Sequence, residues 1–123
     1  MATTKKIELT LPVPPSVNRI WRRGKYGNVY LAPSVEVFYA KARKAAVEAK
    51  VHRVPFPAGV PVKVTMKWYR ATKTGDLDNR TKIVADSLNG IVWADDSQIV
   101  EWHLYRYESP KKGRVDLTIE AIE

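Results

Sequence analysis

The sequence of 123 residues contains no cysteine and only two histidines, His52 and His103. Without cysteine, the chain can form neither a disulfide framework nor a thiolate metal site. The two histidines are far apart and lack the spacing of zinc ligands, so a bound metal ion would need oxygen ligands. Oxygen ligands favour Mg²⁺ or Mn²⁺ over softer metals.

Long apolar stretches are also missing. No run of residues approaches the length that spans a membrane, and residues 1–7 lack the hydrophobic region of a secretory signal. We therefore expect a cytoplasmic protein without membrane contact. Hydrophobic residues make up 45% of the chain, which is enough for a core, and the length predicts one domain over residues 1–123.

Acidic residues are scarce except in one short window. Residues 1–75 hold 15 basic and 3 acidic residues, and the whole chain has a net charge of +8. In contrast, five of the six aspartates lie between Asp76 and Asp96. A basic chain attracts a polyanion such as nucleic acid, and clustered carboxylates can hold a divalent cation at a phosphate. The combination suggests a metal-dependent nuclease.

Hydrophobic periodicity predicts an α+β domain with the element order β-α-β-α-β-β, in which a mixed sheet packs with two helices. Strands are expected over residues 7–11, 62–69, 98–107 and 114–122. Residues 14–33 form a predicted loop with room for a short hairpin through residues 26–30. The connection at residues 109–113 suits a hairpin between the last two strands.

The first predicted helix opens at Pro33, with Ser34 as its N-cap. The second predicted helix begins near Asp78 and runs to the Asn89-Gly90 pair. The residues expected on the buried stripes of the two helices are Val35, Phe38, Ala42, Ala45 and Ala49, and then Ile83, Val84 and Leu88.

Three aspartates are candidates for a metal site. Asp76 and Asp78 are two residues apart at a predicted strand-to-helix junction, where an extended backbone points both side chains the same way. Asp96 follows the second helix, and a short turn could bring it back to the other two. Clustered carboxylates repel one another unless a cation joins them. The alternative is that Asp76 and Asp78 cap a helix and that Asp95 and Asp96 form a polar turn.

Lys82 is four residues after Asp78 and four before Asp86, on one helical face. Such spacing is typical of surface ion pairs that contribute little stability. It would equally place an ammonium group where it can stabilise charge on a phosphate.

Polar and basic residues that could contact DNA occur in two stretches. They are Asn18, Arg19, Arg22, Arg23 and Lys25 in the N-terminal loop, and Lys67, Arg70, Lys73 and Arg80 around the start of the acidic window. The aromatic residues among them, Trp21, Trp68 and Tyr69, could contact DNA or belong to the core. For Trp68, at an alternating apolar strand position, we expect the core.

Three stretches occur in a fixed order along the chain: Leu11-Pro12-x-Pro14-Pro15-Ser16-x-Asn18-Arg19; Asp76-Leu77-Asp78-Asn79 with Lys82, Asp86, Trp93 and Asp95-Asp96-x-Gln98; and Gly113-Arg114-Val115-Asp116-Leu117-Thr118-Ile119. On these stretches, nearly the whole chain resembles the RusA family of Holliday junction resolvases. The order and spacing of these stretches are far more specific than a lone Asp-x-Asp motif.

The resemblance implies a homodimer that uses Mg²⁺, with Mn²⁺ as a substitute, to cut four-way junction DNA in recombination and repair, without a small-molecule cofactor. It implies that Asp76, Asp78, Asp96 and Lys82 are catalytic. The same three aspartates would bind the metal, supported by Asp95 and, less directly, by Asp86. Two alternatives stay open, namely a non-catalytic protein that binds branched DNA and a less selective metal-dependent nuclease.

Overall fold

A computed structural model describes residues 6–14, 21–23, 27, 29–31, 33–51, 54–70, 81–108 and 113–122. The strands are β1 (Lys6–Leu11), β2 (Trp21–Arg23), β3 (Val29–Leu31), β4 (Val62–Arg70), β5 (Ile99–Glu108) and β6 (Arg114–Ala121). The helices are α1 (Pro33–Glu48) and α2 (Thr81–Ser87), and a 3₁₀ turn covers Asp96–Gln98. The predicted α+β class with a mixed sheet and two helices is confirmed.

The main sheet has four strands in the order β1-β6-β4-β5. Strand β4 pairs with β6 in antiparallel fashion and with β5 in parallel fashion. Strands β2 and β3 form a separate antiparallel hairpin, in the region where a short hairpin was predicted.

The predicted hairpin between the last two long strands is wrong. Strands β5 and β6 lie on opposite sides of β4 rather than beside each other. The chain passes from β4 through α2 to β5, and a helical crossover of this kind returns the chain parallel to the strand it left. β4 is one of the two interior strands of the sheet, and its inner residues Val62, Val64, Met66 and Trp68 are at most 1% exposed.

One face of the sheet carries the core. Inner residues of β1, β4 and β6 pack with α1 and α2, and Trp68 is buried there as expected. The opposite face of the sheet, called the outer face below, presents polar and aromatic residues such as Thr10, Lys67 and Tyr69. Burial on one face and exposure on the other explains the alternating pattern of these strands.

Two details of α1 differ from prediction. The helix begins at Pro33, so Ser34 lies in the first turn and is not the N-cap. Proline suits the first helical position, because its φ is already helical and its missing N–H needs no partner. The last buried position is Ala46 instead of Ala49, since the helix ends at Glu48 and Lys50 turns the backbone to a φ of 61°.

None of the helices in the described ranges is long and apolar enough to cross a membrane.

Candidate active site

Helix α2 presents Lys82 and Asp86 on one face. Its opposite face is fixed in the core, where Ile83 and Val84 are fully buried. Lys82 Nζ lies 3.3 Å from Asp86 Oδ2, and the lysine side chain is 67% exposed while that of Asp86 is 29% exposed. The predicted ion pair on this face is therefore present, with its ammonium group open to solvent.

The turn after α2 is held by Trp93, which is completely buried. Its indole Nε1 donates hydrogen bonds to Asn89 Oδ1 at 2.9 Å and to the Ala85 carbonyl at 3.3 Å. Gly90, at a φ of 77°, donates its N–H to the Trp93 carbonyl at 2.8 Å. This left-handed conformation strains other residues but not glycine. The helix consequently ends at Ser87, two residues before the predicted Asn89.

Gln98 fixes the turn that contains Asp95 and Asp96. Its Oε1 accepts a hydrogen bond from the Asp95 backbone N–H at 2.9 Å, and Asp95 Oδ2 accepts one from the Ser97 N–H at 3.1 Å. The Asp95 carboxylate also accepts from the backbone N–H of Gln98, and this reciprocal bonding between Asp95 and Gln98 is a capping box. The Nε2 atom of Gln98 also lies within 3.1 Å of the carbonyl oxygens of Phe56, Pro57 and Val60. The buried Gln98 amide thus ties the acidic turn to residues 56–60.

The turn returns Asp96 to α2, where its side chain meets that of Asp86. Burial, the hydrogen bond with Asp86 and the negative charges of Asp86 and Asp95 raise the pKa of Asp96, and the Lys82 charge partly opposes them. Two carboxylates in contact require a shared proton or a cation. Among the described residues the partner of Asp96 is therefore Asp86; its expected return to Asp76 and Asp78 involves residues outside the described ranges and stays a prediction.

Asp86 also shifts the pKa of the neighbouring Lys82. Its hydrogen bond and negative charge raise the pKa of Lys82, so the ammonium form is retained. Asp95, by contrast, has a lowered pKa because its carboxylate accepts hydrogen bonds from Ser97. Asp95 is therefore an ionised N-cap of the 3₁₀ turn, whereas the surroundings of Asp96 disfavour its ionised form.

Tyr39 lies near this site, which the sequence did not reveal. It lies on α1, half-buried, and its pKa is raised by burial and then by the negative charge of Asp86, with Lys82 opposing. The phenol is thus close to the face that carries Lys82 and Asp86. No periodic signal distinguishes Tyr39 from any other half-buried residue beside the core position Phe38.

The oxygen ligands of this site suit a divalent cation, since the contact between Asp86 and Asp96 concentrates negative charge that such an ion would balance. Within the described ranges, no three Asp, Glu or His side chains are placed to hold a metal by themselves. The predicted set needs Asp76 and Asp78 as well. Both, together with Arg80, lie outside the described residues, and their positions stay a prediction.

The predicted DNA contacts are only partly within the described residues. Asn18, Arg19, Lys25 and Lys73 lie outside them, and Arg22 and Arg23 belong to β2. Lys67 is exposed on the outer face of β4. Arg70 Nη2 forms an ion pair with Glu108 Oε1 at 2.7 Å, so a DNA contact would share this guanidinium with the protein.

Paired carboxylates beside a lysine, on a basic α+β domain, fit the chemistry of a phosphodiester-cleaving enzyme. The profile of the family described as Endodeoxyribonuclease RusA matches residues 12–120, and the chain belongs to this family. Among curated proteins it is similar to crossover junction endodeoxyribonuclease RusA from Shigella sonnei strain Ss046, Escherichia coli strain K12 and Enterobacteria phage 82. Each is 28% identical over 116 residues, which cover 93% of either sequence.

Proposed function

We propose that the protein is a Mg²⁺-dependent endodeoxyribonuclease that resolves four-way DNA junctions by paired nicks, in recombination and repair. Membership of the RusA family supports nuclease activity. The relatives are named crossover junction endodeoxyribonucleases, and they align over 93% of this chain. Full-length similarity favours the same substrate here.

The observation that carries the proposal is the contact between Asp86 and Asp96 beside Lys82. Asp76, Asp78 and Asp96 would hold the cation, with Asp95 in support. A bound Mg²⁺ would supply an activated water and would stabilise negative charge on the phosphate.

Lys82 has a separate task in this proposal. Its ammonium group is largely exposed and stays charged beside Asp86, so it can donate hydrogen bonds to a phosphate oxygen. Asp86 would act as a positioning residue that holds this ammonium group next to the carboxylates. Tyr39, on α1, lies close enough to feel the charges of Asp86 and Lys82.

The test is cleavage of a synthetic four-way junction, a flap and a linear duplex of the same sequence, with and without Mg²⁺. We expect Mg²⁺-dependent cutting of the junction at symmetrically opposed strands and little cutting of the duplex. Asp96→Asn should abolish cutting but keep junction binding. The control Glu101→Gln removes an exposed carboxylate from the outer face and should cut normally.

The other outcomes separate the alternatives. Binding without cutting in any divalent cation would indicate a non-catalytic protein that binds branched DNA. Equal cutting of junction, flap and duplex would indicate a less selective nuclease. Normal cutting by Asp96→Asn would remove this residue from the site.

A further inference from the structure

Three side chains form a stack across the outer face of the sheet, one from each of β6, β4 and β5. Tyr69 is the Cα partner of Arg114 on one side and of Tyr107 on the other. The rings of Tyr69 and Tyr107 are stacked, with centroids 5.0 Å apart and an interplanar angle of 21°. The guanidinium carbon of Arg114 lies 4.1 Å from the Tyr69 ring centroid. We call this arrangement the tyrosine stack.

The stack is closed at one end and open at the other. Neighbouring strands are about 4.8 Å apart, so flat side chains in one row stand side by side at stacking distance. Arg114 covers one face of Tyr69, and Tyr107 covers the other. Tyr107 is 41% exposed and belongs to an edge strand, because within the described ranges β5 pairs with β4 alone. The next flat group in the stack would therefore lie against Tyr107.

The charges around the tyrosine stack suit a nucleic acid. The nearby carboxylates are already paired, Glu108 with Arg70 at 2.7 Å and Asp116 with Arg114 at 3.3 Å. Lys67 is exposed on the same outer face and has no ion-pair partner among the described residues. An aromatic surface beside a free cation can hold a base by stacking and its backbone through a phosphate.

We propose that Tyr107 stacks on one unpaired nucleobase at the branch point of the DNA substrate, an inference that rests on the proposed function. Bases inside a continuous duplex have both faces covered by their neighbours. Away from strand ends, a base released at a branch can present a free face to Tyr107, which a base inside a continuous duplex cannot do. The stack would thereby favour branched DNA over duplex DNA.

The position of the stack is compatible with this role. Tyr69 precedes Asp76 by seven residues, which span at most about 25 Å of chain. A contact at the branch and a cut a few nucleotides away could therefore be made by one protomer, since successive nucleotides of a strand are about 3.4 Å apart along the helix axis.

The experiment uses a four-way junction with 2-aminopurine placed in turn at each branch nucleotide, and Ca²⁺ in place of Mg²⁺ to prevent cutting. We expect wild type and Tyr107→Trp to quench the fluorescence of at least one position. Tyr107→Ala should lose this quenching and bind the junction about tenfold more weakly, as expected for one lost stacking contact. Its affinity for linear duplex should not change.

Tyr105→Ala is the matched control. Tyr105 lies on the same strand and face and is 45% exposed, but it is not in the stack, so the variant should quench as wild type does. Thermal melting and light scattering of each variant accompany the binding assay. If Tyr107→Ala does not fold, Tyr107→Leu provides the same test, because it keeps apolar bulk and removes the ring.

Three results would overturn the inference. They are unchanged quenching and affinity in Tyr107→Ala, an equal loss of duplex affinity, and a loss of affinity that follows dissociation of a dimer, which would place a second copy of the chain against Tyr107. Wild type that fails to cut junctions in Mg²⁺ contradicts the proposed function instead. The 2-aminopurine signal is read without cutting and so tests the stack separately.

Discussion

Asp96 lies where the folded chain disfavours its charge. Its pKa is raised above 3.8 by burial and by contact with Asp86, so the folded state holds the proton more tightly than the unfolded state does. At pH values well above the unfolded pKa, ionising Asp96 costs more free energy in the folded state than in the unfolded state, so the raised pKa reduces stability. This cost disappears below the unfolded pKa, where both states are protonated.

Asp96→Asn should therefore raise the melting temperature by a few degrees near neutral pH and by much less below about pH 3.5. The melts are measured with a chelator present, so that no cation balances the charge. The same substitution should abolish cutting. If it lowers stability equally at both pH values, the contact with Asp86 does not disfavour the ionised form.

Lys82 can be tested against an ion pair of the same type elsewhere in the protein. Lys44 and Glu48 on α1 are also four residues apart, with the charged atoms 3.9 Å apart and the lysine side chain 77% exposed. Lys82→Ala should slow single-turnover cutting about 100-fold or more with a smaller change in affinity, as expected for an interaction made in the transition state.

Lys44→Ala should leave the cutting rate unchanged. Both substitutions should alter the free energy of unfolding by less than about 1 kcal/mol, because both lysines are exposed. Similar cutting rates for the two variants would indicate that Lys82 forms only a surface ion pair and does not contribute to catalysis.

At the scale of elements, the turn from α2 to β5 is the part that positions the carboxylates. Gln98→Met keeps the side-chain volume but removes the hydrogen bonds to Asp95 and to the carbonyls of residues 56–60. It should destabilise the protein by about 2–3 kcal/mol, since buried polar groups lose their partners. Cutting should also fall, because Asp96 is no longer held against α2.

Urea denaturation and junction cleavage measure the two effects of Gln98→Met. The control is Ser97→Ala in the same exposed turn, which removes only the hydroxyl bond to Asp95, keeps the backbone N–H bond to Asp95 Oδ2 and leaves the Gln98 anchor intact, so it should have a much smaller effect on stability and cutting. A fully active Gln98→Met variant would show that the turn does not need this anchor.

The elements themselves were largely predictable, because each one follows from local periodicity. The alternating residues of β4 and the stripe of α1 each had one plausible buried face. The pairing of strands was not predictable in the same way. Residues 109–113 look like a hairpin turn locally, but β4 separates β5 from β6, and the sheet order depends on contacts far apart in sequence.

The site shows the same division between local and distant contacts. The pairing of Lys82 with Asp86 follows from a four-residue spacing. The sequence placed Asp96 with Asp76 and Asp78, and its approach to Asp86 was not predicted. Tyr39 could not be found in this way, because it reaches the site from another helix. The anchoring contacts of Gln98 with residues 56–60 join segments about 40 residues apart, and no periodicity encodes them.

At the scale of the whole molecule, the proposed activity requires two sites. One site on one chain nicks one strand, and a four-way junction nicked once stays joined. A two-fold dimer places two identical sites on the approximate two-fold symmetry of the junction. We expect light scattering to give twice the 14.0 kDa mass of one chain, with or without DNA. A monomer in both conditions would contradict paired nicking and favour the less selective nuclease.

The most direct measurement is cleavage of a supercoiled plasmid that extrudes a four-way junction, using wild type, Asp96→Asn and dimers mixed from the two. In Mg²⁺ the wild type should produce linear plasmid, because both opposed strands are cut within one encounter. Mixed dimers should produce nicked circles, and Asp96→Asn alone should leave the plasmid uncut. Linear product from Asp96→Asn, or no Mg²⁺-dependent cutting by wild type, would contradict the proposal that this carboxylate cluster resolves junctions.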